Sequence, residues 1–599
     1  MKDSMGKQME IEIRRMANNG KGVGTAPDGK TVFVSGAVPG DRLLVEVTAE
    51  KSRLYEARIL SVLSPSSDRI GSDCPELEHC GGCCFRQMTY ERELAEKTGF
   101  VKDAFRRIGK FVVEPEPIIP SPLTKNYRNK AEFAVGTDVE GKLFAGFYSE
   151  KTHRVVPVPN CRLVPNEFLK ITNSFLNIIN INKISNIIER EISSSETDEF
   201  PEADGTYKDL LRMIHTAQEE FDREITLKKS DDENIKRIVN NTKSEKRIIK
   251  QIILRKSGLT GEILLFIVTT GDIGEKLTDA AKRIRAEFPS IRSVCMAVSP
   301  SSGTIESVRF TRILSGSRFI RDQICGVPVE IGPLSFFQVN TPAAETLYRI
   351  AAEFADVRSD DVVLDLYCGM GTIGLSIASG CVQLIGGEII PEAVSSAKRN
   401  AAAMGLTNVH FLRGDAGKIA QILIRDGIHP NLIILDPPRK GCSPETLQAV
   451  LTLNPNRIVM VSCDPAIAAR DCRILCDQGY TLTRLRPVDL FPRTKHVETC
   501  LLLSKLKTVP YIDVRLDMDE LDLTAAESKA SYQRIRDYIH EKYGFNIPNL
   551  YIAQIKHKLG MEVGINYNLS KKDFHRVPQC PPEKEMAIME ALKHFQMLK

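Results

Sequence analysis

The feature that most constrains this chain is a strand, a glycine-rich turn and a helix in direct succession. An apolar run at 361–366 leads into Gly369, Gly371 and Gly374, and a helix is predicted over 372–378. These three elements in this order open a doubly wound, nucleotide-binding α/β fold. The glycine spacing also fits a dinucleotide-dependent dehydrogenase, so the pattern alone leaves both possibilities open.

Four further predicted strands follow the glycine turn. They cover 382–385, 409–412, 431–435 and 457–461. The side chains that follow the five strands are Tyr367, Glu388, Asp415, Asp436 and Cys463. Ligands of such sheets lie at the carboxyl ends of the strands, so these five side chains are predicted to share one site. A carboxylate in the position of Glu388 commonly holds the ribose hydroxyls of an adenosine, and Asp415 is placed for the adenine edge.

The fourth strand ends in Asp436-Pro437-Pro438-Arg439. Methyltransferases carry Asp-Pro-Pro at this place, where it faces the target base. Enzymes that methylate an exocyclic amine usually have an aromatic residue after the prolines. Because Arg439 stands there instead, the sequence favours a different target atom.

The N-terminal 60 residues have the pattern of a small β-barrel. Alternating strands at 9–13, 31–38, 42–50 and 56–63 are separated by turns rich in Gly, Asn, Pro and Asp. About five strands in this length suit a barrel of the kind that binds oligonucleotides. Basic residues are spread through it: Arg14, Arg15, Lys21, Lys30, Arg42, Lys51, Arg53 and Arg58. The formal net charge of the whole chain is only +4, so a solvated basic surface explains them equally well on charge alone.

Four of the fifteen cysteines lie within eleven residues, at Cys74, Cys80, Cys83 and Cys84, and Cys161 follows in an isolated segment. Four thiolates can hold a [4Fe–4S] cluster or a tetrahedral zinc ion. Cys84 follows Cys83 directly, so it points away if Cys83 is a ligand. A redox Cys-x-x-Cys pair is a third possibility. The spacing leaves iron–sulfur and zinc open.

Two central segments differ in what they indicate. Basic and aromatic residues alternate in the predicted strand 127–135, where Arg128 and Lys130 share one face and Tyr127 the other, a combination that suits RNA stacking and phosphate contact. Residues 181–250 are mostly polar and charged, and we interpret them as an insertion without an assigned function.

The motifs together resemble one family. The N-terminal turns Gly20-Lys21-Gly22-Val23-Gly24 and Val38-Pro39-Gly40-Asp41 resemble a TRAM domain, an RNA-binding barrel of RNA-modifying enzymes. The remaining motifs are the cysteine segment 74–83, Tyr127-Arg128-Asn129-Lys130, the segment 335–340, the glycine turn 365–371, the segment 436–441, Ser462-Cys463-Asp464-Pro465 and His496-Val497-Glu498-Thr499. In this order they resemble the RNA uracil-5-methyltransferase family, in its TRAM-bearing, iron–sulfur branch that acts on 23S ribosomal RNA. The resemblance covers about residues 9–505, apart from the insertion.

The resemblance implies cofactors and site residues. It implies S-adenosylmethionine as methyl donor, with the binding positions Gln338, Tyr367, Glu388 and Asp436. It implies a [4Fe–4S] cluster, with the ligands Cys74, Cys80, Cys83 and Cys161. Cys463 matches the family's nucleophile and Glu498 matches its base.

The chemistry of uracil explains why such residues are needed. Carbon 5 is a poor nucleophile until a thiolate adds to carbon 6 and makes it carbanion-like. After methyl transfer a base must remove the carbon-5 proton, so that the thiolate can leave by elimination. The nucleotide must also leave its stack to reach such a site.

The expected architecture has four parts. They are an OB-like TRAM β-barrel at 1–63, a central β-rich iron–sulfur and RNA-binding domain at 64–335, a Rossmann-like class I S-adenosylmethionine-dependent methyltransferase domain at 336–507 and a small helical appendage at 508–599. The appendage carries predicted helices near 525–543, 549–559 and 582–597. Its basic residues and tyrosines suit either RNA contact or a helical cap with the tyrosines in its core.

The remaining expectations concern partners and alternatives. No apolar run approaches the roughly 20 residues that cross a bilayer, so we expect no membrane association. From the many scattered cysteines we expect free thiols and a cytoplasmic location, and we expect a monomer. The resemblance implies 23S rRNA as the partner. A transfer-RNA uracil-5-methyltransferase is the nearest alternative, although such enzymes generally lack the barrel and the cluster. A non-catalytic RNA-binding protein is the alternative of another class.

Overall fold

The computed structural model describes residues 5–138, 141–149, 152, 154–181, 248–299, 310–505, 532–559 and 580–595. The chain divides into two compact units, 1–507 and 508–599. Almost all of the insertion predicted at 181–250 lies outside the described residues. No helix in the described ranges is long and apolar enough to cross a bilayer.

The first sheet contains six strands. They are β1 Gln8–Glu12, β2 Arg15–Met16, β3 Gly22–Thr25, β4 Thr31–Val34, β5 Arg42–Lys51 and β6 Leu54–Ser64. Their order is β1-β5-β6-β4-β3-β2. Alternate side chains point inward, and Val32, Val34, Leu43 and Val45 are fully buried in one core. The sequence predicted about five strands, and the glycine-rich turn supplies the short pair β2 and β3 in addition.

The second sheet has seven strands in the order β13-β12-β11-β10-β7-β8-β9. They are β7 Lys130–Thr137, β8 Leu143–Tyr148, β9 Val155–Pro157, β10 Ile249–Lys256, β11 Ile263–Thr269, β12 Ile291–Val298 and β13 Phe310–Gly316. Helices α2 Asn166–Ile181 and α3 Gly274–Glu287 share its apolar core. A hairpin of β14 Ile320–Ile324 and β15 Val327–Ile331 follows.

The third sheet is the doubly wound sheet that the sequence predicted. Its strands are β16 Val362–Leu366, β17 Gln383–Glu388, β18 Val409–Arg413, β19 Leu432–Leu435, β20 Arg457–Ser462, β21 Tyr480–Val488 and β22 Glu498–Lys505. The order is β18-β17-β16-β19-β20-β22-β21, parallel from β18 to β20, with β22 antiparallel to both neighbours. The strand order reverses between β16 and β19, which is where ligands bind in such sheets.

Six helices accompany this sheet. They are α4 Thr341–Ala355, α5 Thr372–Ile377, α6 Pro391–Ala403, α7 Ala416–Arg425, α8 Pro444–Leu453 and α9 Pro465–Cys476. Pro at the first turn and a capping side chain start several of them, such as Ser443 before α8 and Asp464 before α9.

Helix α1 Tyr90–Arg107 comes from the N-terminal part of the chain but packs on the third sheet. Its Val101 and Phe105 are fully buried in the core that contains Leu364 and Leu435. The sequence carried a signal for this unpredicted helix. Thr89 caps its first turn, Glu91 and Glu93 follow, and Arg106 and Arg107 occupy the last turn.

The second unit has helices α10 Tyr532–Tyr543, α11 Asn549–Lys558 and α12 Pro582–His594. Ile535, Ile539, Ile552 and Ile588 are fully buried in its own core. All three predicted helices are present, although residues 525–531 and 596–597 of the predicted spans lie outside the described part.

Candidate active site

Cys463 and Glu498 are brought together by strand register. In the antiparallel pair β20–β22, Arg457 lies opposite Ser504 and Ser462 opposite Thr499. One residue further along, the same register places Cys463 opposite Glu498. Side chains of directly opposed residues lie on the same face with Cβ atoms about 5 Å apart. Two residues that are 35 positions apart along the chain are thus brought to neighbouring places at the end of the sheet, close enough for the charge of Glu498 to raise the pKa of Cys463.

The thiol of Cys463 is held in its neutral form at rest. The side chain is half-buried, and burial is the main cause that raises its pKa to about 11. The charges of Glu498 and Asp436 raise this pKa further, whereas Arg439 lowers it. The thiol therefore needs a proton acceptor, or a change of its surroundings, to become a nucleophile.

Two carboxyl groups beside the thiol titrate near neutrality. Glu498 is 7% exposed, and burial raises its pKa to about 8, with a further increase from Asp436 and an opposing effect of Arg439. Burial also raises the pKa of Asp436 to about 7. Groups of this pKa can accept and release protons at physiological pH. The arrangement combines a nucleophile with two potential acid–base groups.

Tyr367, Glu388 and Asp436 lie side by side at the carboxyl edge of the sheet. Leu366 pairs with Gly387 and with Leu435, so the next residues of all three strands stand in one row. The Glu388 carboxylate accepts hydrogen bonds from the backbone N–H of Gly369, at 3.1 Å, and of Ile390, at 2.8 Å. The carboxylate is thus fixed directly beside the glycine turn.

The last glycine of the glycine-rich turn is hydrogen-bonded to a carboxyl group that the sequence analysis did not identify as part of the site. Gly374 N–H donates to Oδ2 of Asp365 at 3.0 Å, and a Cβ on Gly374 would lie only 2.7 Å from that oxygen. Burial raises the pKa of Asp365 to about 8. The signal was a charged residue in the middle of an otherwise apolar strand. Asp415 is exposed and caps α7, where its carboxylate accepts from Gly417 N–H at 3.0 Å.

Gln338 reaches the same site from the segment before α4. Its backbone carbonyl accepts from Nδ2 of Asn129 at 2.8 Å, and Asn129 also donates to Oγ1 of Thr341. Its side chain contacts Tyr348, whose hydroxyl accepts from Thr372 at 3.3 Å. Gln338 is thus linked through Tyr348 to Thr372 at the start of α5.

The segment around Tyr127 differs from its sequence interpretation. Tyr127 is only 4% exposed, and its hydroxyl donates to the Pro492 carbonyl at 3.0 Å. The expectation that this ring is available for RNA stacking is therefore wrong. The ring is buried because Tyr127 precedes β7 and faces the core of the second sheet. Arg128 remains half-exposed.

A second candidate site surrounds the cysteine segment. Cys74, Cys80, Cys83 and Cys161 line one cavity of about 360 Å³. Burial raises the pKa of Cys83 to about 11 and also raises those of Cys80 and Cys161. Within the described ranges, no three or more Cys, His, Asp or Glu side chains are arranged to hold a metal ion. The four thiols therefore line a cavity and do not converge on a single metal position.

Arg86 brings a buried positive charge to this cavity. The residue is 3% exposed, and its Nη1 donates to Asp73 at 2.6 Å. Its Nε and Nη2 are buried without a hydrogen-bond partner. Buried N–H groups of this kind need an acceptor. Four thiols and the guanidinium of Arg86 around one cavity suit an anionic group that is bound through sulfur. Cys84 is oriented differently, since a Cβ on Gly20 of the first sheet would lie 2.8 Å from its Sγ.

Comparison with known proteins agrees with this geometry. Residues 329–506 match the family model of tRNA (Uracil-5-)-methyltransferase, and residues 4–60 match the TRAM domain. An uncharacterized RNA methyltransferase of Halalkalibacterium halodurans is 33% identical over 497 residues, which cover 83% of this chain and 96% of that protein. One of Caldanaerobacter subterraneus is 31% identical over 84% of this chain and its own full length.

A solved structure shows the same fold. The Pyrococcus abyssi tRNA (uracil-54, C5)-methyltransferase in complex with S-adenosyl-L-homocysteine superimposes with a TM-score of 0.56 at 22% identity. The match covers 83% of this chain and all of that one.

Proposed function

The chain belongs to the RNA uracil-5-methyltransferase family and is an S-adenosylmethionine-dependent RNA methyltransferase, and from this premise we propose that it methylates carbon 5 of a uridine in 23S ribosomal RNA. Cys463 is the nucleophile and Glu498 the base. The observation that carries this proposal is the placement of Cys463 opposite Glu498 at the end of β20 and β22, beside the edge that holds Tyr367 and Glu388.

The first step forms a bond between Cys463 Sγ and carbon 6 of the uracil. The thiol proton must leave, and Asp436, with a pKa of about 7, accepts it. Glu498 then stays available for the later step. The electron pair of the C5–C6 double bond moves toward O4, which makes carbon 5 nucleophilic. Arg439 favours the thiolate, because its charge lowers the pKa of Cys463.

The donor supplies an electrophilic methyl group on a sulfonium, and this chain's residues hold it in place. We propose that Glu388 accepts hydrogen bonds from the ribose hydroxyls and that Tyr367, Gln338 and Asp436 complete the binding site. After methyl transfer Glu498 removes the proton from carbon 5. The C6–S bond then breaks, the double bond is restored, and Cys463 leaves as a thiolate that recovers its proton from Asp436.

The choice of ribosomal RNA is supported by the parts of the chain outside the third sheet. The TRAM domain provides an RNA-binding module, and the cysteine segment 74–83 resembles that of the branch that acts on 23S ribosomal RNA. A tRNA substrate is the second candidate, because the structurally similar Pyrococcus abyssi protein is named a tRNA methyltransferase. Mapping of 5-methyluridine in 23S rRNA and tRNA, from cells with and without this protein, tests the choice directly.

We further propose that Cys74, Cys80, Cys83 and Cys161 hold a [4Fe–4S] cluster. The shared cavity and the unpaired N–H groups of Arg86 support it, because an anionic cluster would accept hydrogen bonds from the guanidinium. Bound there, the cluster would supply a cross-link between the 74–83 loop and the segment around Cys161. No electron transfer is needed for methylation. We also propose that the enzyme acts as a monomer in the cytoplasm.

A further inference from the structure

The connection between β21 and β22 leads directly to Glu498 and is held by a buried charged cluster. Val488 pairs with Glu498, so residues 489–497 form a loop that begins and ends at the active site. Asp489 is 0% exposed, and its Oδ1 accepts from Nζ of Lys97 in α1 at 2.7 Å. Lys97 Nζ also donates to the carbonyl of Phe491 at 3.1 Å.

The same helix holds the middle of the loop through Glu93. Its Oε1 accepts from Lys97 Nζ at 2.7 Å and from the backbone N–H of Arg493 at 2.7 Å. Lys97 and Glu93 are both 0% exposed. With Asp489 and Arg493 the cluster contains two carboxylates and two cations, so its formal charges balance.

Arg493 has an unusual backbone conformation. Its φ is +69°, in the left-handed region that side chains other than glycine rarely adopt. Its carbonyl accepts from the backbone N–H groups of Cys84, at 3.0 Å, and Phe85, at 3.2 Å, and its Nη1 donates to the Met88 carbonyl at 2.8 Å. Such a strained residue persists only where its surroundings fix it.

Tyr90 adds a further contact to the start of the loop. Its hydroxyl donates to Oδ2 of Asp489 at 2.8 Å and accepts from the backbone N–H of Ser121 at 2.9 Å. Asp489 is therefore held through both carboxylate oxygens. Because Asp489 follows Val488, the residue paired with Glu498, Asp489 lies directly beside the end of the ladder where Glu498 stands.

A buried ion pair adds little net stability compared with apolar residues of the same size, but it specifies one arrangement. We propose that Lys97 is a positioning residue for proton abstraction: from helix α1 it fixes Asp489 and the 489–497 loop, and thereby the carboxylate of Glu498. The inference rests on the proposed role of Glu498. A base displaced by about 1 Å loses on the order of 100-fold in rate.

The test separates the two halves of the reaction. RNA transcribed with 5-fluorouridine reports bond formation by Cys463, because fluorine cannot be abstracted and the adduct is trapped without help from a base. Ordinary transcript reports proton abstraction, because a slow base lets the methylated adduct accumulate. Both are followed by rapid quench and denaturing gel, with transcripts of 23S rRNA and tRNA.

Lys97→Met is expected to form the 5-fluorouridine adduct at nearly the wild-type rate. On ordinary RNA it should release product about 10- to 100-fold more slowly and accumulate adduct. Tyr90→Phe removes only the hydrogen bonds of the hydroxyl and should show the same effect more weakly. Tyr90→Phe still decides the test if the Lys97→Met variant does not fold.

Arg457→Met is the matched control. Arg457 pairs with the buried Asp361 at 2.5 Å at the opposite end of β20, six residues or about 20 Å from Cys463. This variant should melt earlier without adduct accumulation. The inference is overturned if Tyr90→Phe and Lys97→Met release product normally, or if they slow both halves of the reaction equally. If the wild-type protein forms no 5-fluorouridine adduct at all, the proposed function fails instead.

Discussion

Cys463 and Glu498 occupy opposite positions one step beyond the Ser462–Thr499 pair of β20 and β22. The antiparallel strand β22 is what makes this possible, because it runs back toward the carboxyl edge of the parallel strands. A parallel sheet alone would offer Cys463 only neighbours such as Asp436. The added strand supplies a buried carboxyl group on the side of the thiol away from β19.

The opposed positions of Cys463 and Glu498 predict that substitution of each residue blocks a different step of the reaction. Cys463→Ala should form no adduct with 5-fluorouridine RNA and should have no activity, because the bond to carbon 6 cannot form. Glu498→Gln should form the adduct, transfer the methyl group, and then accumulate adduct on ordinary RNA. Gel mobility of the protein–RNA adduct measures both. Normal turnover by either variant would remove that residue from its proposed role.

The pH dependence of the reaction should follow Glu498. Its pKa, raised to about 8 by burial, means that the carboxylate fraction increases as pH rises through 8. We expect the rate of adduct resolution on ordinary RNA to rise from pH 6, to reach half its maximum near pH 8 and to level off above about pH 9. The formation rate with 5-fluorouridine RNA should level off about one pH unit lower, because Asp436, which accepts the thiol proton, has a pKa of about 7. Identical profiles for both steps would contradict the assignment.

The reactivity of Cys463 toward iodoacetamide should respond to its charged neighbours in opposite directions. Arg439→Met should slow alkylation, because the guanidinium lowers the pKa of the thiol. Glu498→Gln should speed it, but only above about pH 8, where the wild-type carboxylate is ionised. Mass spectrometry of the Cys463 peptide measures the rate. Glu392→Gln, an exposed carboxyl in α6, is the control and should change nothing.

The cysteine cavity should hold iron and sulfide rather than zinc. Anaerobically purified protein is expected to be brown, with about four iron and four sulfide ions per chain. Cys161→Ser should lose most of this content, whereas Cys84→Ser should keep it, because Cys84 packs against Gly20. Metal and acid-labile sulfide analysis decides the point. Stoichiometric zinc without sulfide would show that the cavity is a zinc site.

Local pattern predicted the five parallel strands of the third sheet well, because each of them is an apolar run with a polar residue at its end. The strand predicted at 457–461, for example, is observed at Arg457–Ser462. The antiparallel strands β21 and β22 were not predicted, and β21 is not an apolar run. The proximity of Cys463 and Glu498 was implied only by family resemblance, because the register between two strands produces no periodic pattern in the sequence. No sequence pattern indicated the cluster around Lys97, because Lys97 and Asp489 are 392 positions apart.

Several described lysines and tyrosines of the second unit contact other residues of the same unit. Tyr538 stacks on His594 with ring centroids 4.4 Å apart. Lys556 is only 6% exposed, and Lys558 pairs with Glu585. Three further basic residues of the appendage, Lys571, Lys572 and Arg576, lie outside the described residues.

Truncation after Lys507 should separate the two roles considered for the second unit. Because the unit has its own buried core, we expect the shortened enzyme to keep its melting temperature and donor binding. Its affinity for rRNA fragments should fall, and the salt dependence should become shallower by about one unit of log–log slope per lost phosphate contact. A triple variant should reproduce the shallower slope in the full chain: Lys571→Gln, Lys572→Gln and Arg576→Gln. The control is the double variant Lys542→Gln and Lys558→Gln, which should leave the slope unchanged. These two lysines already pair with Glu590 and Glu585. Calorimetry and titration at several salt concentrations measure these effects. A lower melting temperature with an unchanged salt slope would show instead that the unit is a stabilising cap.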